Sequence, residues 1–284
     1  ITATALATVM TAGAAQAELS ISGLYTGSIT DAHGAATAHA TSTNSIYVNY
    51  SDAMDNGMGV GLSMSVTAAS ITTTIGIDTG FGTIDLGNGG DSAVDDADGN
   101  PAEISQVHGN TMGGLTFADG DETGDGQSIK YSSPSMSGLT FQVTQGFDDG
   151  TYSGTTSVAA QYSLMGVTLA GGVSSLDQKD PNDGVDTDPS FFSAAYSVAG
   201  LNLGYAVYDN DVSTGDESTS MGVNTDLGGM TVGVTFTELD TSTTDTDYTL
   251  FTVKKSMGAA SFGVDYLETD PSNATSTDSI SFSY

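Results

Sequence analysis

From Glu18 to the C-terminus the chain alternates apolar and small polar residues with a period of two, in one segment of about ten residues after another. That period sends successive side chains to opposite faces, so each segment reads as a β-strand with one greasy and one hydrophilic side. Sixteen segments can be counted, near 18–30, 44–52, 57–66, 69–78, 81–87, 126–133, 138–147, 153–164, 166–176, 190–199, 200–208, 218–227, 229–237, 248–257, 259–267 and 276–284. The register is plainest where Met58, Val60, Leu62, Met64 and Val66 share one face and Gly57, Gly59, Gly61, Ser63 and Ser65 the other. Leu201, Leu203, Tyr205 and Val207 repeat it, as do Met230, Val232, Val234 and Phe236. A two-sheet sandwich would need bulky residues enough to fill a shared core. Here the apolar stripe is thin and the other face is Gly, Ser, Thr and Asn, which fits strands with lipid outside and water inside.

The connections alternate between tight and long. Tight ones are marked by glycine: Asn56-Gly57, Thr79-Gly80, Ser137-Gly138, Met165-Gly166, Ala199-Gly200, Gly228-Gly229 and Met257-Gly258. Long ones follow the odd-numbered strands at 31–43, 88–125, 148–152, 177–189, 209–217, 238–247 and 268–275; the connection near Ala68 is short where a long one is expected. Short turns at one end and long loops at the other are the layout of a transmembrane β-barrel. Most of the 35 acids lie in or beside the long connections, so that end is strongly negative. Pro101, Pro134, Pro181, Pro189 and Pro271 are all expected between strands, because proline cannot donate to a ladder paired on both sides. An even strand count lets the first strand close on the last and leaves no edge. Sixteen strands enclose a lumen wide enough for water.

No stretch reaches the ~18 to 20 continuous apolar residues of a transmembrane helix. The expectation is therefore an all-β, antiparallel transmembrane barrel of about sixteen strands over residues 18–284. Ahead of it, residues 1–17 are small, apolar and uncharged and end in Ala15-Gln16-Ala17, the pattern a signal peptidase reads. They are expected to be a signal peptide, incomplete at its own N-terminus, with Glu18 opening the mature chain. Four lysines and no arginine stand against the acids, giving a formal net charge of -31. Nucleic acid is excluded as a partner, since the counterion release that drives such binding needs basic residues. The lack of cysteine excludes thiol redox chemistry and thiolate metal sites. His33, His39 and His108 fall in connecting segments, and no G-x-S-x-G, phosphate loop or strand-borne Ser/His/Asp set occurs, so no enzyme is expected.

Three stretches resemble the general porins of Gram-negative bacteria, particularly their alphaproteobacterial members. Phe81-Gly82-Thr83-Ile84-Asp85-Leu86-Gly87, followed by Asn88-Gly89-Gly90-Asp91, is similar to the family's fifth strand leading into the long loop that folds inward and narrows the pore. Ile129-Lys130-Tyr131-Ser132-Ser133-Pro134-Ser135-Met136-Ser137-Gly138-Leu139 resembles its sixth strand, tight turn and seventh strand, with Lys130 in the basic position. Ser279-Ile280-Ser281-Phe282-Ser283-Tyr284 resembles the family's closing strand with a C-terminal aromatic. The resemblance implies a sixteen-stranded homotrimeric barrel in the bacterial outer membrane, in contact with its lipid and lipopolysaccharide, through which small hydrophilic solutes diffuse. The sequence departs from the pattern in having no arginine, so the arginine cluster that such porins set on the wall opposite the loop acids is nearly gone.

Strand parity assigns the remaining charges. Ile129 and Tyr131 mark the apolar face of the sixth strand, so Lys130 is expected in the lumen with Ser128 and Ser132. In the fourteenth, Phe251 and Val253 point to lipid, which turns Lys254 inward and leaves Lys255 at the membrane boundary, where a long stem can snorkel. The loop after the fifth strand supplies Asp91, Asp95, Asp96, Asp98 and Glu103, with Asp85 at its foot. Folded into the barrel, these acids with Lys130 and Lys254 would form the constriction, and a focused negative potential would favour cations. Acids left outside in water would instead be screened. Asp119, Asp121, Glu122 and Asp125 are spaced to hold calcium, without matching an EF-hand; no cofactor is required. A passive, cation-preferring diffusion channel is the expected function. The alternatives are a substrate-specific porin and a secreted calcium-binding β-rich adhesin, which would not conduct ions across a bilayer.

Overall fold

The computed structural model describes residues 18–32, 39–55, 57–67, 70–87, 93–98, 127–147, 152–178, 188–209, 217–241, 243–257 and 260–283. Among these are sixteen strands and one short helix, α1 (Ala93–Asp98). The first half of the barrel comprises β1 (Glu18–Ala32), β2 (His39–Ala53), β3 (Gly59–Thr67), β4 (Ile71–Asp78), β5 (Thr83–Gly87), β6 (Ser128–Ser132), β7 (Leu139–Phe147) and β8 (Tyr152–Leu164). The second half comprises β9 (Val167–Gln178), β10 (Ser190–Val198), β11 (Leu201–Asp209), β12 (Glu217–Leu227), β13 (Met230–Asp240), β14 (Asp245–Met257), β15 (Ala260–Pro271) and β16 (Thr277–Ser283). Each strand pairs antiparallel with the next, and β1 pairs with β16 from Ser28↔Ser283 to Ala32↔Ser279, closing the ring.

The tight turns explain the up-and-down order. Met165 and Gly166 join β8 to β9 with φ of 52° and 83°, Ala199 and Gly200 join β10 to β11 with 51° and 83°, and Gly228 and Gly229 join β12 to β13 with 61° and 79°. Two consecutive left-handed residues make the hairpin turn whose twist matches that of the strands it joins, and glycine in the second place carries no Cβ penalty.

The barrel is inside-out relative to a water-soluble protein. Phe236 and Phe251 on the outer face are each 49% exposed, whereas Ser220 and Ser281 on the lumenal face are each 1% exposed. Met230, Val232, Val234 and Phe236 share the outer face as their alternation requires. A stacked-sheet core is ruled out by the closed ring.

Three expectations need correction. Several strands run past their apolar stretch: β13 extends to Asp240 and β14 begins at Asp245, so the acids assigned to a loop at 238–247 sit mainly on strands. Such extension costs nothing in lipid terms, because paired backbone above the apolar belt remains satisfied. Pro271 is the last residue of β15, opposite Thr246, a strand end where the missing N–H interrupts no further ladder. His39 is the first residue of β2 rather than part of a loop.

Candidate functional site

The lumenal face of β5 to β9 carries a continuous polar row. Register places Gly76 beside Asp85, Asp85 beside Lys130, Lys130 beside Thr144, Thr144 beside Ser157 and Ser157 beside Ser174. Lys130 is buried on this face, while its neighbour Ile129 is 40% exposed on the outside. Outside too, Tyr131 donates its hydroxyl to the Phe81 carbonyl at 2.7 Å and lies 5.8 Å from the Phe141 ring, fixing the parity of β6. Asp85 and Lys130 thus stand directly opposite each other, a favourable cross-strand arrangement of unlike charge. The Asp85 carboxylate leans over Gly76, where an added Cβ would come within 2.9 Å of Oδ1.

The second lumenal cation, Lys254, is half-buried, with Thr231 and Gly263 as its cross-strand partners. Thr231 in turn donates to Asp226 at 2.6 Å. Because β6 and β14 are eight places apart in a ring of sixteen, Lys130 and Lys254 lie on opposite walls and form no cluster. Lys255 is exposed on the outer face beside Phe262, as its parity requires.

Sequence reasoning missed Asp265. Phe262, Val264 and Tyr266 point outward from β15, so Asp265 points inward, between Thr252 and Ser281, and is 1% exposed. The parity rule that singled out Lys130 applies to it equally. Also missed was an apolar patch on the lumenal face, formed by Tyr248, Leu250 and Leu267 with Leu239 against them. Tyr248, Leu250 and Leu267 are buried, so they offer no greasy track to a passing solute.

After β5, helix α1 packs inside the barrel. Ala93, Val94 and Ala97 of α1 are buried in one cluster with Ala159, Ala170, Phe191, Ala206 and Tyr208, all on the lumenal faces of β8 to β11. The Ala93 N–H donates to Ser157 Oγ at 3.2 Å, tying the helix to the polar row. Small wall residues make room for it, and the Phe191 ring, stacked 6.1 Å from Tyr208, lies over Gly172. A Cβ on Gly172 would meet that ring at 2.7 Å. Asp95, Asp96 and Asp98 fall within α1, but their side chains lie outside the described set. Asp91, Glu103, Asp119, Asp121, Glu122 and Asp125 lie outside the described residues altogether. Among the described residues no three acidic or histidine side chains converge to hold a metal ion.

A closed antiparallel ring with apolar exterior, hydrophilic lumenal wall and inward-packed segment defines a β-barrel membrane pore. Residues 2–284 match the family described as Gram-negative porin. Two engineered mutants of the Rh. blastica porin superpose with TM-scores of 0.69 and 0.68, each at 18% identity, over 94% of this chain and 99% of that chain. A further refined porin structure gives 0.63 at 17% identity with the same coverage. No curated protein matches the chain by sequence. The chain belongs to the Gram-negative porin family, and its place is the bacterial outer membrane.

Proposed function

We propose that this porin is a water-filled channel for passive diffusion of small hydrophilic solutes and ions, that it prefers cations, and that no catalytic step is involved. The observation that carries the cation preference is the balance of charge on the lumenal face. Among the described residues, strand parity turns Glu18, Asp78, Asp85, Asp226 and Asp265 inward against two lysines, Lys130 and Lys254. A lumen with low-dielectric walls and an excess of one sign concentrates the opposite ion. Facing the lumen together with α1, Asp91, Asp95, Asp96, Asp98 and Glu103 would add to that excess. Family membership sets the adhesin alternative aside. The buried state of the lumenal apolar patch speaks for a general channel over a substrate-specific one.

Assembly as a homotrimer, removal of residues 1–17 as a signal peptide and contact with lipopolysaccharide accompany this reading. Calcium at Asp119, Asp121, Glu122 and Asp125 is a separate proposal, tested by titration calorimetry of the folded protein after EDTA treatment. The channel itself is tested in a planar bilayer across a KCl gradient. Discrete conductance steps and a reversal potential of cation-selective sign are expected; a zero or anion-selective potential would refute the preference.

A further inference from the structure

The lumenal wall that faces α1 carries an aromatic ring where its neighbours are small and uncharged. α1 packs on Ala170 of β9 and Phe191 of β10. Those strands stand eight places round the ring from β1 and β2, so β1 and β2 form the opposite wall. There Ile46 and Val48 point to lipid, and Tyr47 between them points into the lumen, with Ser22 and Ser65 as its cross-strand partners. Leu24 shares the lumenal face of β1 with Ser22, lies diagonally beside Tyr47 and is 37% exposed. The two walls meet at matching height, because β2 and β8 run the same way toward tight turns. Tyr47 is six residues from the end of β2 at Ala53, and Ala159, in contact with α1, is five from the end of β8 at Leu164. Of the lumenal aromatics whose side chains are described, Phe191, Tyr208 and Tyr248 are buried, whereas Tyr47 is only half-buried.

We propose that Tyr47, backed by Leu24, is a specificity-determining residue of the channel, at which quaternary ammonium ions are held briefly in transit. The sign of the solute rests on the cation preference proposed for the channel, and the choice of an organic over an inorganic cation rests on the ring. A quaternary ammonium spreads its charge over carbon groups and has no N–H to donate, so the serines around Tyr47 offer it little while the face of the ring attracts it. Leu24 gives its alkyl groups an apolar surface away from water. α1 presses such a solute toward this wall, since a helix with its side chains is about 10 Å across. One ring is a single contact and not a track, so the channel stays general.

Single-channel recording of the full protein in dilute KCl tests this, with either tetraethylammonium or the hydroxyl-rich Tris cation added to both sides. Tetraethylammonium should half-block the wild type at a concentration about threefold lower than it needs for Tyr47→Leu, which keeps bulk and loses the ring; that is the factor of one exposed cation–π contact. Tyr47→Phe should behave as the wild type, and Tris should block all three alike. If Tyr47→Leu yields no channels, Tyr47→Ser is read in the same way. None of these variants changes a charge, so the reversal potential in a KCl gradient should stay where the wild type has it. An anion-selective potential in the wild type would refute the cation preference of the channel, whereas the ratio of blocking concentrations judges Tyr47 by itself. Absence of block by tetraethylammonium, equal block with and without the ring, or loss of block in Tyr47→Phe would each overturn the proposal. So would a parallel loss of Tris block in Tyr47→Leu, which would mark a purely steric effect.

Discussion

Carboxylates occupy two contrasting regions of this barrel, the lumenal wall and an outer collar above the apolar belt. Among the described residues those on the wall are few, and Asp85 and Asp265 are set among polar neighbours on the inward side of their strands. The collar holds nine on the outward side of β11 to β16. Asp209 faces Glu217, Glu217 faces Asp240 and Asp240 faces Asp245. Glu238 faces Asp247, Asp247 faces Asp270 and Glu268 faces Asp278. Parity alone separates the two groups: Asp265 and Glu268 are three residues apart on one strand, and one is buried inside while the other is exposed outside. Charge count is therefore a poor guide to ion selectivity, and the side of the strand on which a charge sits is a good one.

The largest test of that contrast is to remove the acids proposed to face the lumen after β5. Replacing Asp91, Asp95, Asp96, Asp98 and Glu103 by Asn and Gln should bring the reversal potential close to the unselective limit. An unchanged potential would mean that the segment after β5 does not supply the field. Next in size is Asp265→Asn, which removes one lumenal carboxylate and should lower cation preference with conductance retained. Lys130→Ala works in the opposite direction, raising cation preference, because it leaves the negative field of Asp85 uncompensated. Its effect is expected to be smaller, because a lumen that already favours cations has less selectivity to gain than to lose. If both single variants shift selectivity in the same direction, the assignment of these side chains by parity is wrong.

Much of this was legible from the period-two pattern. Parity turns Lys130 and Lys254 to the lumenal face because Ile129, Tyr131, Phe251 and Val253 are apolar and outward, and the strand register puts both lysines on that face. Asp265 is just as legible from Phe262, Val264 and Tyr266, but acids are common in this chain and a single one stands out less than a lysine. The inward seat of α1 was anticipated only through resemblance. Its wall residues Ala159, Ala170 and Ala206 come from three separate strands, and no local pattern announces that they converge. Polar stretches are longer than the loops for a physical reason: polarity marks where the membrane ends, and paired strands such as β13 and β14 continue beyond it.

The smallest expected effect is the sharpest check on the contrast. Neutralising Glu268, Asp270 and Asp278 together removes three collar charges, more than any single lumenal substitution does. These groups are separated from the lumen by the barrel wall and bathed by electrolyte on their own side. Screening acts over about 3 Å at 1 M salt and about 30 Å at 0.01 M. Selectivity in 1 M KCl should therefore match the wild type, with a slight loss of cation preference emerging only when the dilute side approaches 0.01 M. A shift at 1 M as large as that of Asp265→Asn would mean that the collar feeds the pore directly, and the division between wall and collar would fall.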